Sequence, residues 1–434
     1  MRAIEFKIEL KLPARWPTIG LRARPFVVPA IIFAVTALVY YLSNREALDW
    51  YQHQVYLAVA ITQGSLDLAS VGMPDFYHDV VVDGTSTYLP YQPAPALLMV
   101  PFVAIWGSDF SQIHFSMVLG AINVVLFWYL LGLLNVSRTT KLLLVPFFAF
   151  GTVHFYAATT GTLWFYQHVA AVFFVLLAII FLLRRTSPVV PALFLALAFL
   201  SRQSTILATP FFLYWMVRQH HPSVFSRQAL FGRQSLYQMG LFVGTLLVFV
   251  GLSLWYNDIR FGGPFDSGLD TLVNSYSAGG LRYSFYRNAF PDAAHFGMLD
   301  VRNIPLHLYT IFLLPPEFHP DWSIFRPSPY GMSVLLTSPP FIFAALVKRS
   351  DPLKFASWMA IGLVSIPVIT YFSQGWVQFG YRYLLDFMPF LLILTALGFE
   401  DHRSPTSTKI MILLVGISIV AGFWGRYWAT ELGW

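Results

Sequence analysis

Residues 163–183 read LWFYQHVAAVFFVLLAIIFLL, twenty-one positions without Asp, Glu, Lys or Arg, closed by the pair Arg184-Arg185. At about 1.5 Å of rise per residue, a helix of that length crosses the roughly 30 Å hydrocarbon layer of a bilayer. The run has company: apolar segments near 26–43, 113–134, 142–158, 188–200, 205–217, 237–256, 333–347, 355–373, 384–399 and 409–428 bring the expectation to about eleven spans. Two further stretches, 93–106 and 304–315, are apolar but short and interrupted by proline, which suits re-entrant or interfacial segments; counting them as crossings gives thirteen. The fold class expected is an all-α polytopic membrane protein. Residues 1–434 read as a single transmembrane catalytic domain, because spans and short connections use most of the length.

Composition agrees. The chain is 57% hydrophobic and only 11% charged, with no cysteine, so a disulfide framework and thiolate metal sites are excluded. Its formal net charge of +6 reads as an orientation signal rather than a nucleic-acid one. The opening MRAIEFKIELKLPARWPTIGLRARP carries six Lys/Arg ahead of a long span that no small-residue cleavage site closes, which reads as an uncleaved first helix. If both short stretches stay outside, the lysines at 7, 11, 141, 348, 354 and 409 and the Arg184-Arg185 pair all fall on the cytoplasmic side. The C-terminal tail RYWATELGW is then outside. So are the long loops, 44–112 and 257–332, and the turns at 159–162, 201–204 and 374–383, which puts the work of the protein on the outer face of a plasma membrane. Aromatic residues in the outer loops, among them Trp50, Tyr51, Tyr88, Tyr283, Phe285 and Tyr286, fit either an interfacial belt or carbohydrate-stacking walls.

The first outer loop gathers Asp49, His53, Asp67, Asp75, His78, Asp79 and Asp83 beside the membrane. Asp49 lies among Trp50, Tyr51 and Tyr56, with His53 at i+4 if the segment is helical, and is the candidate general base for a hydroxyl nucleophile. The competing reading is a solvated loop acid. In DFYHDVVVDG, a strand or turn ending at Asp83-Gly84, His78 and Asp79 are candidate contacts to sugar hydroxyls or a divalent metal. The acids lack EF-hand spacing and no HExxH occurs, so a metal is left open and no cofactor is firmly implied. Arg202, in FLSRQSTIL, interrupts an apolar region at the start of a helix and is a candidate phosphate ligand; snorkelling to headgroups is its rival role. Arg382 repeats the pattern in GWVQFGYRYLLDFMPF, flanked by Tyr381, with Asp386 at i+4 as a neutralising partner. His168 lies in the first turns of 163–183, on the outer side. No Walker A, strand-borne GxGxxG or GxSxG motif appears, so nucleotide-driven and serine-hydrolase chemistry lack support.

With these residues in view, the chain resembles the GT-C superfamily of integral-membrane glycosyltransferases, particularly the branch of protein O-mannosyltransferases and the lipid A aminoarabinose transferase. Asp49 resembles the acid of the first outer loop that serves these enzymes as base, although Trp50 stands where a second acid is usual. DGTSTYLPYQPAPALLMVPF (83–102) looks like the family's DGxxY…PPxxxLL pattern, which ends that loop, and FLSRQSTILATP (199–210) like its helix break carrying a basic residue. YNDIRFGGPFDSG and FGYRYLLDFMPFL also look like recurrent family segments. TGTLWFYQH supplies no acid where the second outer turn often has one, and His168 is the nearest polar residue. The resemblance implies transfer of a sugar, with inversion, from a polyprenyl-phosphate donor to a hydroxyl of a lipid, glycan or protein on the outer face. Asp49 would be the base, Arg202 and Arg382 would meet the donor phosphate, and His53, His78, Asp79, Tyr88, His168 and Tyr381 would line the substrate site. The alternatives are a lipid-linked sugar flippase or transporter, a ligase or polymerase of surface glycans, and a non-catalytic scaffold. These predict different placements of the polar residues. The transferase reading requires Asp49, Arg202 and Arg382 to converge on one outer cavity.

Overall fold

The computed structural model describes residues 24–45, 49–219, 226, 231–269, 271–272, 298–319, 324–348 and 351–434. The basic N-terminal stretch and the aromatics Tyr283, Phe285 and Tyr286 lie outside the described residues. What is described is mostly helical and holds one large apolar core, which runs through nearly every long helix.

Six helices are long and apolar enough to cross a membrane: Phe26–Ser43, Gln112–Leu133, Leu163–Leu183, Arg233–Phe261, Pro352–Ile369 and Pro405–Glu431. Arg138–Phe150 and Val153–Thr160, bent by 45° at Gly151-Thr152, make a seventh if taken as one broken span. The eleven full-length spans expected from hydropathy are therefore not reproduced as continuous helices among the described residues. The shortfall has a physical origin, because hydropathy measures an apolar run and not its backbone. The 188–200 and 205–217 runs are the short helices Val189–Phe199 and Thr209–Arg218, joined through a 3₁₀ segment, Gln203–Ala208. The 333–347 run becomes one four-residue turn, Val334–Thr337, followed after Ser338 by a 3₁₀ segment opened by Pro339-Pro340. That segment passes so close to the Met388–Asp401 helix that a Cβ on Gly398 would lie 1.8 Å from the Phe343 carbonyl oxygen. Only glycine admits this approach.

The two stretches read as too short to cross are indeed short, Ala94–Trp106 and Ile304–Phe312. The central Leu163–Leu183 helix packs on Val189–Phe199 and Gln112–Leu133 and is largely buried, whereas Phe26–Ser43 keeps an apolar outer surface suited to lipid. The first outer loop folds into a buried helix, His53–Thr62, and a hairpin pairing Val81–Asp83 with Ser86–Tyr88, turned at Gly84 in the left-handed region. Asp67 fastens that hairpin by accepting from the Thr87 N–H at 2.7 Å. A second hairpin, Glu317–His319 with Ile324–Arg326, comes from the second outer loop.

Candidate active site

A cavity of about 800 Å³ opens where both outer loops meet the ends of the apolar helices. The loop after Tyr77 carries His78 and Asp79 to its wall, the Leu163–Leu183 helix contributes Trp164 and His168, and the helix break contributes Arg202. Arg382, Tyr371 and Tyr383 also line the cavity.

Asp79 is buried, and its backbone takes a φ of 62°, a left-handed conformation that aspartate tolerates better than most residues. Its Oδ2 accepts from the Trp164 indole N–H at 2.5 Å. Trp164 is held in turn: the Leu163 N–H donates to the Tyr51 carbonyl at 3.1 Å, and Tyr51 and His78 pack within 5.1 Å of its ring. The result is a carboxylate set into aromatic faces. Burial raises the Tyr51 pKa, and the nearby Asp79 charge adds to that.

The two arginines differ. Arg202 donates through Nε and Nη2 to Asp386, whose fully buried carboxylate also accepts from Ser204 Oγ at 2.6 Å and His168 Nδ1 at 2.7 Å. The anion that Arg202 meets is therefore supplied by the chain itself. With Nδ1–H committed to the carboxylate, His168 keeps Nε2 as a lone pair, and that buried atom has no hydrogen-bond partner. Arg382 is left without this neutralisation. It makes only long hydrogen bonds, to the Trp376 carbonyl (3.3 Å) and the Tyr383 hydroxyl (3.4 Å), and lies over the rings of Tyr383 and Phe165. Its Nε is buried without a partner, and among the described residues no carboxylate stands within ion-pair distance. The expected Arg382–Asp386 pair does not form.

Of the residues singled out in the sequence, the cavity brings together His78, Asp79, His168, Arg202 and Arg382. Four are elsewhere. Asp49 is exposed, accepts from Ser111 Oγ at 2.6 Å and does not line the cavity, so the convergence of Asp49 with the two arginines is not found. Nor does it share a helical face with His53, because the helix begins only at His53 and Tyr51 turns the chain with a φ of 56°. His53 is wholly buried and braces the loop, its Nε2 donating to the His78 carbonyl at 2.8 Å; burial lowers its pKa to about 4. Tyr88 packs against Phe261, and the Tyr381 hydroxyl meets His307 Nδ1 at 2.7 Å. The sequence reading overlooked Trp164, though it sits inside TGTLWFYQH, and Arg326, which no local pattern marks. Among the described residues no three His, Asp or Glu side chains are grouped to ligate a metal.

No protein-family model matches the chain, and no curated protein matches it. Among solved structures it is similar to the Archaeoglobus fulgidus oligosaccharyltransferase in its apo form, at 13% identity and a TM-score of 0.46. The match covers 94% of this chain and 56% of that one, so the chain spans little more than half the length of that protein.

Proposed function

We propose that this protein is an integral-membrane glycosyltransferase of GT-C type, moving a sugar from a polyprenyl-phosphate donor to an acceptor hydroxyl at the outer face. The observation that carries this reading is a cavity holding an aromatic-walled carboxylate, Asp79, and a guanidinium with no carboxylate of its own among the described residues, Arg382. The first can take a proton and the second can take a phosphate.

In this mechanism Asp79, rather than Asp49, is the base. The acceptor hydroxyl gives its proton to the Asp79 carboxylate as its oxygen attacks the anomeric carbon. The bond from that carbon to the donor phosphate oxygen breaks, and the bonding pair leaves with the phosphate. The negative charge that gathers there is met by Arg382, already fixed in position before reaction. Attack from the face opposite the leaving phosphate inverts the anomeric centre. Tyr51, His78 and Trp164 offer ring faces and hydrogen bonds suited to a sugar. Arg202 serves as a strut that fixes Asp386 and His168. Transfer from a lipid phosphate needs no nucleotide site, and none is evident in the sequence.

The test is transfer of labelled sugar from short-chain polyprenyl-phosphate donors by purified protein, comparing Asp79→Asn, Asp49→Asn and Arg382→Gln with the parent. Loss of a general base costs about 10²–10⁴-fold, and loss of a preorganised charge partner about 10²–10³-fold. Asp79→Asn and Arg382→Gln are expected to fall in those ranges while Asp49→Asn stays near the parent rate. Full activity of Asp79→Asn with loss in Asp49→Asn would return the base to Asp49. Passage of lipid-linked sugar across vesicles, without transfer to any acceptor, would support the transporter reading instead.

A further inference from the structure

We propose that Arg326, with Glu317 as its releasable partner, reads a second negative charge on the substrate whose phosphate Arg382 holds. The inference rests on the glycosyl-transfer reading above and adds to it a preference for a doubly anionic substrate.

Arg326 ends the second strand of the outer hairpin and lines the same cavity as Arg382. The pairing register sets Glu317 directly across from it. The two side chains are poorly engaged: Arg326 Nη2 stands 3.6 Å from Glu317 Oε2, and both groups are about a third exposed. A pair so separated and so accessible to water is weak. Arg326 Nε, meanwhile, is buried with no hydrogen-bond partner among the described residues. On the Nε/Nη2 edge of the guanidinium, Nη2 is thus held loosely and Nε is not held.

The segment following this strand is bound to the one that carries Arg382. Gln378 donates from its side chain to the Tyr330 carbonyl at 3.1 Å and from its backbone to the Pro329 carbonyl at 3.3 Å. Its Oε1 accepts the Arg382 N–H at 3.4 Å. One buried glutamine therefore fixes the Arg326 strand against the Arg382 turn. The surrounding charges then sort themselves. Asp386 neutralises Arg202, Asp79 accepts from Trp164, and a singly charged phosphodiester would neutralise Arg382. Among the described charged residues that line the cavity, Arg326 is the one whose partner exchanges at little cost. A substrate with one more anionic group, either a second phosphate on the lipid or a carboxylate on the sugar, would displace Glu317 and engage the open guanidinium edge.

Isothermal titration with three probes separates these sources: farnesyl phosphate esterified to glucose, which carries a single charge, farnesyl diphosphate esterified to glucose, and farnesyl phosphate esterified to glucuronate. R326Q should weaken the diphosphate or the glucuronate probe about tenfold and leave the singly charged farnesyl phosphate ester unchanged. E317Q, which frees the arginine, should tighten that same probe. Weakening of the diphosphate alone assigns the second charge to the lipid, and weakening of the glucuronate alone assigns it to the sugar. If R326Q leaves all three unchanged, or weakens all three equally as a merely structural hairpin would, the proposal is overturned. Should the parent protein fail to bind the singly charged farnesyl phosphate ester with any dependence on Arg382, the lipid-phosphate reading itself fails, and this inference fails with it.

Discussion

Asp386 and Arg382 are four residues apart, yet the aspartate turns away and gives its acceptor positions to Arg202, Ser204 and His168. The spacing would bring the two together on an α-helix, but Arg382–Asp386 is a 3₁₀ turn. At three residues per turn, positions i and i+4 point about 120° apart. The consequence is a division of labour between arginines that look alike in sequence. Asp386→Asn leaves a buried guanidinium and a buried imidazole without their carboxylate and is expected to cost about 3–5 kcal/mol. In thermal denaturation of the detergent-purified protein it should lower the midpoint clearly, whereas Arg382→Gln, which breaks no ion pair, should barely move it. Equal destabilisation by both variants would refute the distinction. The candidate acids were legible as a set, since a polar loop in so apolar a chain is conspicuous. Which acid faces the cavity was not legible. Asp49 and Asp79 have similar neighbours in sequence, and the choice turns on two left-handed residues, Tyr51 and Asp79 itself, that redirect the chain.

At the scale of elements, the helix His53–Thr62 is the foundation of the loop that carries Asp79. Its first residue is buried and bonded to the His78 carbonyl, so the state of His53 bears on the segment next to Asp79. Burial lowers the folded-state pKa of His53 to about 4, from an ordinary value near 6.5. Between those values the unfolded chain binds the proton that the folded protein refuses. Stability is therefore full above about pH 6.5 and declines as the pH falls toward 4, by about 3 kcal/mol at the lower end. Unfolding measured across that window should show this slope in the parent, and His53→Gln should flatten it. An unchanged slope in the variant would place the titration elsewhere. The same scale explains why the apolar runs do not all appear as continuous helices. The runs 205–217 and 333–347 are apolar, but their backbones include the 3₁₀ segments Gln203–Ala208 and Pro339–Leu346, which break a continuous helix. Gly398 shows the tightness of that packing, a close approach that becomes visible only when the facing backbone is known.

For the whole molecule, the charge pattern predicts which loops face out, and the absence of cysteine makes that expectation easy to check. Thr85→Cys in the first hairpin and Ser187→Cys in the basic turn are both exposed positions. A membrane-impermeant thiol reagent added to intact cells should label Thr85→Cys at once and Ser187→Cys only after permeabilisation; the reverse pattern would invert the proposed orientation. The sequence alone determined the material of this protein: long uncharged helices, basic turns on one side, and polar loops with acids and arginines on the other. Those properties are sums over neighbouring residues, and transfer to lipid depends on such sums. The site was decided by tertiary structure, because it depends on contacts between residues far apart in the chain. Trp164 meets Asp79 across 85 positions and Arg202 meets Asp386 across 184. Arg326 reaches the cavity from a hairpin that hydropathy does not mark. No local pattern encodes those distances, since they follow from how the helices pack and where their backbones break.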